Sequence, residues 1–327
     1  MRAAYIETHG PAESITYGTL PTPVPGPSEV LVEVDAVAVN NVDTFVRSGA
    51  YATPVPFPFV IGRDLVGTVA AVGADVVDFA EGDAVWSNSL GHAGRQGAAA
   101  EYAAVPVDRL YHLPEDADPV TTVALVHPAA TAHLALVVHG RLIAGETALV
   151  AGGAGHVGRA ATVLARDAGA RVVATSSHDD LEECRRLGAD VVADYRDPDL
   201  GPALHRATPD GVDVHLDTSG HHDLDLALGL LAPRGRVVLM AGLAARPELP
   251  VGAVYTRDAR ILGFAISNAS IADLADAAEQ VNRLVTAETL QARRVEELPL
   301  SEAAEAHRRL ETGRAAGVRL VLRPSVL

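Results

Sequence analysis

The segment that most restricts the fold of this 327-residue chain is a glycine-rich turn between an apolar strand and a helix. In ALVAGGAGHVGRAATVLA, Gly153, Gly155 and Gly158 have the spacing G-x-G-x-x-G. In dinucleotide-binding proteins one glycine makes the tight turn, the next lets backbone amides approach a pyrophosphate, and the third allows close packing of helix and strand. We therefore predict a cofactor-binding turn that includes His156 and Val157. A glycine-rich turn with a merely structural role is the alternative.

Strand-length and helix-length segments alternate around this turn, over residues 122–265. Apolar strands such as RVVATS and RVVLMAGL are separated by helical stretches such as DLEECRRLGAD, a pattern typical of a doubly wound parallel sheet, that is, an α/β Rossmann domain. Residues 1–121 are instead β-rich, with short apolar runs punctuated by Pro and Gly. The tail, 266–327, is too small to stand alone, so we expect it to pack on the first domain.

Composition excludes several classes of function. The net charge of −16 argues against nucleic acid or an anionic membrane as the main partner. All 26 basic residues are arginine, so Schiff-base chemistry through a lysine is impossible. The single cysteine, Cys184, excludes an internal disulfide and a four-cysteine zinc lobe. We see no signal peptide and no apolar run of 18 residues, and therefore expect a cytoplasmic protein without a membrane span.

The cofactor preference should be encoded at the end of the next strand, in RVVATSSHDD. NAD-dependent proteins usually place an acid there, about twenty residues after the glycines, to hold the ribose 2′-hydroxyl. Ser176 and Ser177 occupy that place here, and hydroxyls remove the repulsion that a 2′-phosphate would meet. No arginine is adjacent in the sequence, and Asp179 and Asp180 follow, so capping of the next helix is the alternative role. We predict NADPH as the cofactor.

Three short polar side chains end a buried strand in VAVNNVDTFVRSG: Asn40, Asn41 and Asp43. Asn and Asp often form turns because their side chains hydrogen-bond the local backbone. Loops at strand ends also carry functional residues. Local sequence does not decide between a turn and a site.

Several further motifs are similar to those of the medium-chain dehydrogenase/reductase superfamily, in particular its zinc-independent quinone oxidoreductase branch. They are VNNVDTFVRSGAY, PFVIGRDLVGTVAAVG, EGDAVW and AEYAAVP, and with the glycine turn they span essentially the whole chain. The resemblance implies a GroES-like catalytic domain, residues 1–121 with 266–327, beside the Rossmann domain, 122–265. The zinc-dependent alcohol dehydrogenases of this superfamily have cysteine at the position of Asn40 and histidine at that of Arg63. Neither residue found here is a good zinc ligand, so we predict no metal.

The same resemblance assigns roles to other residues. Asn40 and Asp43 would lie in the active-site cleft, where the Asn40 amide and the Tyr51 phenol could donate to a developing substrate oxygen. Tyr51 as a surface aromatic is the alternative. With Asp64, His127 would give only two metal ligands, so we expect it to be structural or to face the substrate. The remaining predicted residues are Phe45 and Arg63 for the substrate, and Tyr195, Gly242 and Phe264 for the cofactor.

The sequence therefore predicts a NADPH-dependent oxidoreductase that transfers hydride to a quinone, or to an activated enone or carbonyl, without a metal. The apolar stretch RILGFAI is the expected seam of a homodimer, because an unpaired sheet edge is a liability. Two alternatives stay open. One is a zinc-type alcohol dehydrogenase with atypical ligands, and the other is a nucleotide-binding relative with little catalysis, since the glycines specify binding and not turnover.

Overall fold

The computed structural model describes residues 1–325. The strands are β1 (Arg2–Ile6), β2 (Thr16–Thr19), β3 (Glu29–Ala38), β4 (Phe59–Val60), β5 (Asp64–Val72), β6 (Ala84–Ser87), β7 (Tyr102–Pro106), β8 (Tyr111–His112), β9 (Thr147–Ala151), β10 (Arg171–Ser176), β11 (Val191–Asp194), β12 (Val212–Asp217), β13 (Leu231–Leu239), β14 (Arg260–Gly263), β15 (Val295–Pro299) and β16 (Arg319–Arg323). The helices are α1 (Asn41–Ser48), α2 (Pro119–His133), α3 (His156–Asp167), α4 (Leu181–Arg186), α5 (Leu200–Ala207), α6 (Leu224–Leu230), α7 (Val251–Tyr255), α8 (Ile271–Thr286) and α9 (Ala303–Glu311).

The chain divides into two compact units. The mixed-sheet unit contains Met1–His127 and the chain from Leu274 onward, and the parallel-sheet unit contains Pro128–Asp273. The boundaries lie a few residues beyond 121 and 265, where the sequence pattern placed them. Both fall within helices, α2 and the first turn of α8, and a helix gives no compositional sign of where one compact unit ends.

The parallel-sheet unit confirms the predicted Rossmann architecture. Its six strands lie in the order β11-β10-β9-β12-β13-β14, and every neighbouring pair is parallel. The strand order reverses between β9 and β12, so the carboxyl ends of these strands, at Ala151 and Asp217, flank the switch point. Ligands of open α/β sheets bind in the crevice at such a point.

The mixed-sheet unit is built around β3, whose alternating pattern buries Val30, Val32 and Val34 in a core of small and branched apolar side chains. One sheet has the order β15-β16-β3-β5-β6-β8, with β7 also paired to β3, and a second has the order β2-β1-β4. Strand β16 pairs antiparallel with the end of β3. The late strands β15 and β16 thus continue the sheet that the first 121 residues begin.

Helix α2 continues as a π-helical segment over Leu134–His139. Together they span Pro119–His139, which by length and composition alone is sufficient to cross a membrane. However, 72% of its most apolar 18-residue window is buried within the protein. Core helices of globular proteins share this property, because a helix that is apolar on all sides must be covered.

Candidate active site and cofactor site

A capped helix start holds the polar residues that end β3. Asn40 is the N-cap of α1, and its backbone N–H donates to the Asp43 carboxylate at 2.8 Å. This bond is one half of a capping box, which satisfies backbone donors that a helix start leaves without partners. Both side chains are buried, whereas Asn41 beside them is exposed. The polar trio therefore does form a turn, but two of its members face the protein interior.

The Asn40 side chain is held at both ends by charged groups. Its Nδ2 donates to Asp64 Oδ2 at 2.7 Å, and its Oδ1 accepts from Arg319 Nη2 at 2.9 Å. Asp64 and Arg319 are themselves buried. The Asp64 carboxylate at the nitrogen and the Arg319 guanidinium at the oxygen fix the orientation of the amide. In the reverse orientation the amide oxygen would face the carboxylate, and the amide N–H groups would face the guanidinium donors.

His127 completes this group, which we call the Asn40 cluster: Asn40, Asp43, Asp64, His127 and Arg319. His127 Nδ1 lies 3.3 Å from Asp64 Oδ1, so Asp64 stands between the histidine and the Asn40 amide. Burial, followed by the nearby charge of Asp64, raises the pKa of Asp43 to about 6. Arg319 was missed by sequence reasoning because it lies on β16, far from any motif, and reaches the cluster through the pairing of β16 with β3.

The donor set does not suit a catalytic zinc. Among residues 1–325, no three His, Cys, Asp or Glu side chains converge as metal ligands. The guanidinium of Arg319 bonds the residue at the cysteine position of the zinc enzymes, and a fixed positive charge there opposes a dication. Asp64 and His127 do lie together, as a zinc-type alcohol dehydrogenase with atypical ligands would require. They supply two ligands, however, whereas a catalytic zinc has three from the protein.

The other predicted substrate residues lie on or near α1. Tyr51 follows the helix, and its backbone N–H donates to Phe45 O at 3.1 Å. The Tyr51 ring stacks on His92, with centroids 5.8 Å apart, and its hydroxyl hydrogen-bonds none of the residues that the structure describes. Phe45 is half-buried, and Arg63 is buried beside Asp64. A phenol that is free to donate is therefore available.

The glycine turn lies at the carboxyl end of β9. Gly152 and Gly153 both donate their N–H groups to Thr175 O, at 3.1 and 2.8 Å. The left-handed residue is Gly152, with φ 83°, one position before the predicted triad. A Cβ on Gly158 would lie 2.1 Å from Gly152 O, so that glycine serves close packing. Gly155 is exposed and caps α3, and its own N–H donates to Gly152 O at 2.9 Å.

His156 and Val157 are the first two residues of α3, directly after this cap. At the end of β10, Ser177 Oγ donates to Asp180 Oδ2 at 2.9 Å, so Ser177 does take part in the helix start that was the alternative reading. Ser176 Oγ donates to the neighbouring carbonyl of Ser177, at 3.1 Å.

The strand beside Ser176 leads to a cation, Arg196, which the sequence around Ser176 does not show. Tyr195 N–H donates to Ser176 O at 3.0 Å, and the guanidinium of Arg196 lies 5.1 Å from the centre of the Tyr195 ring. Parallel pairing of β10 with β11 sets Ser176 opposite Asp194 and so brings this segment alongside. Arg196 is exposed and makes no ion pair with the described part of the chain.

A cavity of about 620 Å³ adjoins the glycine turn within the parallel-sheet unit. It shares Gly152, Thr175 and Tyr195 with the surfaces just described. The other lining side chains are apolar ones from β9, α5 and α6 and polar ones from the end of β12, among them Leu149, Leu200, Leu204, Leu226, His215, Asp217, Ser219 and His222. A largely apolar cavity of this size with a few convergent polar groups is typical of a ligand site.

His215 is the unusual member of this lining. It is 5% exposed, and neither ring nitrogen has a partner among residues 1–325. Burial lowers its pKa to about 4, so the ring is neutral at pH 7. Nearby, Asp217 accepts from Ser219 Oγ at 2.6 Å and lies 2.9 Å from His222 Nδ1, so the other polar groups are paired.

We expect His215→Val to raise the free energy of unfolding at pH 7 by about 1–2 kcal/mol, because it removes a buried polar group without partners. The folded wild type disfavours protonation of His215, so its stability should fall from about pH 6.5 to about pH 4, by up to about 3 kcal/mol from this group. The variant should lose that part of the slope. Urea denaturation at several pH values measures it, with the exposed His205→Gln as control. An unchanged slope in His215→Val would contradict the burial argument.

The residues predicted for the nicotinamide end lie after β13 and β14. Gly242 has φ 64°, and a Cβ there would lie 2.8 Å from Gly220 O, so the turns after β12 and β13 approach closely. Phe264 directly follows β14 and stacks on His139, with centroids 4.6 Å apart. Both residues lie in the parallel-sheet unit with the glycine turn.

Comparison with known proteins gives consistent matches. A family model of the alcohol dehydrogenase GroES-like domain matches residues 26–115, and one of zinc-binding dehydrogenases matches residues 157–283. The quinone oxidoreductase of Mus musculus is 30% identical over 330 residues, covering 98% of this chain and 97% of that protein.

Solved structures agree. An NAD-dependent alcohol dehydrogenase is similar with a TM-score of 0.88 at 31% identity, covering 99% of both chains. A mycobacterial protein crystallised with NADPH has a TM-score of 0.84 at 29% identity, covering 99% of this chain and 100% of that one. These matches over nearly the whole length, together with the Rossmann sheet and its glycine turn, confirm the resemblance found in the sequence. The chain is an oxidoreductase that belongs to the quinone oxidoreductase branch of the medium-chain dehydrogenase/reductase superfamily.

Proposed function

We propose that this oxidoreductase uses NADPH to reduce a quinone, or an enone or carbonyl activated in the same way, without a metal. The observation that carries the proposal is the Asn40 amide held between Asp64 and Arg319. This arrangement places a neutral hydrogen-bond donor where the zinc enzymes of the superfamily have a metal ligand. A substrate oxygen that gains negative charge must then be stabilised by hydrogen bonds.

The protein's part in the reaction is to donate to that oxygen. An amide has two N–H groups, of which Asp64 takes one from Asn40, and the second is the one we assign to the substrate. The hydroxyl of Tyr51 has no protein acceptor among the described residues and can donate as well. When bound, NADPH would supply hydride to a ring or β-carbon. Tyr51 or water then protonates the oxygen, so that two electrons and two hydrogens reach the product.

Arg196 and Ser176 support NADPH over NADH. A 2′-phosphate at the end of β10 would meet a hydroxyl instead of an acid, with the Arg196 guanidinium nearby. The adenosine half would enter the cavity that adjoins Gly152 and Thr175. There the two free ring nitrogens of His215, one donor and one acceptor when neutral, match the mixed donors and acceptors of an adenine edge.

We expect Ser176→Asp to reverse the cofactor preference from NADPH to NADH. The new carboxylate would repel the 2′-phosphate and accept from the ribose hydroxyl of NADH, a change of about tenfold or more in the ratio of affinities. Calorimetric titration of both cofactors measures this ratio, and Ser301→Asp, an exposed site in the other unit, controls for the added charge. A wild type that already prefers NADH would contradict our interpretation of this strand end.

The function itself is tested by NADPH oxidation with a panel of quinones and enones, with and without a chelator. We expect turnover that the chelator does not change. Stoichiometric zinc in the active protein, lost together with activity on chelation, would instead favour the zinc-type alternative, in which Asp64 and His127 would be ligands. Tight NADPH binding without turnover on any acceptor would favour the nucleotide-binding alternative.

We also propose a homodimer that pairs along β14. This strand is at the edge of the six-stranded sheet, with β13 on its inner side. Large apolar side chains of the same unit are exposed nearby in sequence, namely Leu243, Leu249, Val251 and Tyr255. An edge strand with exposed apolar neighbours is favourable for pairing with a second copy.

A further inference from the structure

Two arginines converge on one serine of the mixed-sheet unit. Arg95 Nη2 donates to Ser89 O at 3.1 Å, and Arg109 Nη1 donates to Ser89 Oγ at 3.4 Å. Both guanidinium groups are half-buried, and neither has a carboxylate partner within the part of the chain that the structure describes. Two like charges that bond the same serine, with no ion pair to either among the described residues, are unfavourable unless an anion binds them.

A third guanidinium belongs to the same neighbourhood. Arg63 is 1% exposed, and its backbone carbonyl accepts from the N–H of Leu90, the residue after Ser89, at 3.2 Å. Its charge acts on Arg95 and also on Asp43. The positive charge here also affects His92. Burial, and then the charges of Arg63, Arg95 and Arg109, lower the pKa of His92 to about 4. The protein as a whole carries a net charge of −16, so three arginines close together form a local positive region on an otherwise acidic protein.

The unsatisfied polar atoms in this group are donors. Arg95 Nε is buried without an acceptor, and so is the hydroxyl of Tyr111, which lies within the electrostatic influence of Arg109. The acid that acts on both Arg95 and Tyr111 is Asp108, which is exposed and forms no ion pair among residues 1–325. Donors that lack acceptors, beside Arg95 and Arg109 without a carboxylate partner in the described chain, are the features of an oxyanion site, because a guanidinium can hold a carboxylate through two parallel bonds.

We propose that Arg95 and Arg109, with Arg63 and Tyr111, bind a carboxylate of the substrate, so that the acceptor is an acidic quinone or an unsaturated keto acid. The site is linked to the proposed donor Tyr51, whose ring stacks on His92 at 5.8 Å. This inference rests on the proposed function. A bound carboxylate would orient the double bond or ring relative to Tyr51, which is how a charge remote from the reacting atoms contributes to catalysis.

The test compares a 4-oxo-2-enoic acid with its methyl ester as acceptors in NADPH oxidation by the full-length protein. We expect kcat/KM to favour the acid by about tenfold or more, since charge-assisted bonds to a guanidinium are the strong ones. Arg95→Gln and Arg109→Gln should each lower the acid-to-ester ratio about tenfold. Arg246→Gln, an exposed arginine of the other unit, should leave the ratio unchanged although it alters the net charge equally. Equal kcat/KM for acid and ester in the wild type would overturn the proposal.

A binding measurement separates this inference from the proposed function. The saturated 4-oxoalkanoic acid cannot be reduced at a double bond, and we expect it to raise the Tm of the wild type but not of Arg109→Gln. If it does so while no acceptor is turned over, the carboxylate site stands and the proposed function fails. Inorganic phosphate that raises the Tm where the saturated acid does not would overturn the proposal. An NADPH affinity lowered in Arg109→Gln would overturn it too, by assigning the arginines to the cofactor.

Discussion

Replacing Gly155 by valine is expected to abolish NADPH binding while the protein stays folded. Gly155 is exposed at the start of α3, and a Cβ there meets nothing closer than Gly152 O at 3.2 Å. Its φ of −68° is accessible to any residue, so the substitution introduces no backbone strain. The branched side chain would instead occupy the space through which a pyrophosphate reaches the backbone amides. We expect the Kd for NADPH to rise at least about a hundredfold, or about 2.7 kcal/mol.

Two comparisons make this result interpretable. Gly252→Ala, on α7, adds a Cβ to open space and should leave both folding and binding unchanged. Gly158→Val, in contrast, would drive a side chain into the Gly152 carbonyl, 2.1 Å from the Cβ position, and should unfold the unit. Circular dichroism and calorimetry distinguish the cases. A folded Gly155→Val protein with normal NADPH affinity would place the cofactor elsewhere.

The glycine turn could be predicted because its spacing and its physical role coincide. Glycines at those positions after a strand serve a backbone that must approach a phosphate and a helix that must approach a strand. Even so, the residue with positive φ is Gly152, outside the motif, and only the fold identifies it. The parallel sheet was predictable for a similar reason, since alternation of strands and helices leaves few architectures.

The parts of the site that escaped prediction depend on strand register. Arg319 reaches Asn40 because β16 pairs with β3, although 279 positions separate the two residues in the sequence. Because β10 and β11 are parallel, Ser176 lies opposite Asp194, and Arg196 follows Asp194 by two positions. The local sequence around Ser176 therefore does not show this cation. The two ring nitrogens of His215 lack partners among the described residues because the side chain faces a cavity lined by α5 and α6. The sequence of a strand shows which positions are apolar or polar, but it does not show a cavity beside them.

Asn40 shows how a turn and a site can be the same residues. Its backbone begins α1 with Asp43 as capping partner, which is the turn that its residue type suggests. Its side chain bonds the buried carboxylate of Asp64 and the buried guanidinium of Arg319, and a helix cap requires neither bond. The capping bond uses the backbone N–H and would survive truncation of the side chain, so the two roles can be separated by mutation.

Asn40→Ala is therefore expected to have the second large effect, on stability and on turnover together. The substitution leaves the Asp64 carboxylate and the Arg319 guanidinium each short of a buried partner, and such losses typically cost about 3–5 kcal/mol. We expect a loss of about 3 kcal/mol of unfolding free energy by urea denaturation. Well below the unfolding temperature, turnover should fall on the order of tenfold with NADPH affinity nearly unchanged. A donor to a full oxyanion contributes more, but quinone reduction is intrinsically easier.

Asn41→Ala is the matched control, because Asn41 is adjacent and exposed, and its side chain makes no hydrogen bond within residues 1–325. It should change stability by less than about 0.5 kcal/mol and leave turnover intact. Stability lost without any change in the rate of the folded enzyme would reduce Asn40 to a structural bridge between Asp64 and Arg319, and Tyr51 would then be the donor to test. Wild-type turnover and wild-type stability in Asn40→Ala would contradict the two hydrogen bonds described for Asn40. Asp64 and Arg319 are buried and charged, and both cannot lose a partner without a loss of stability.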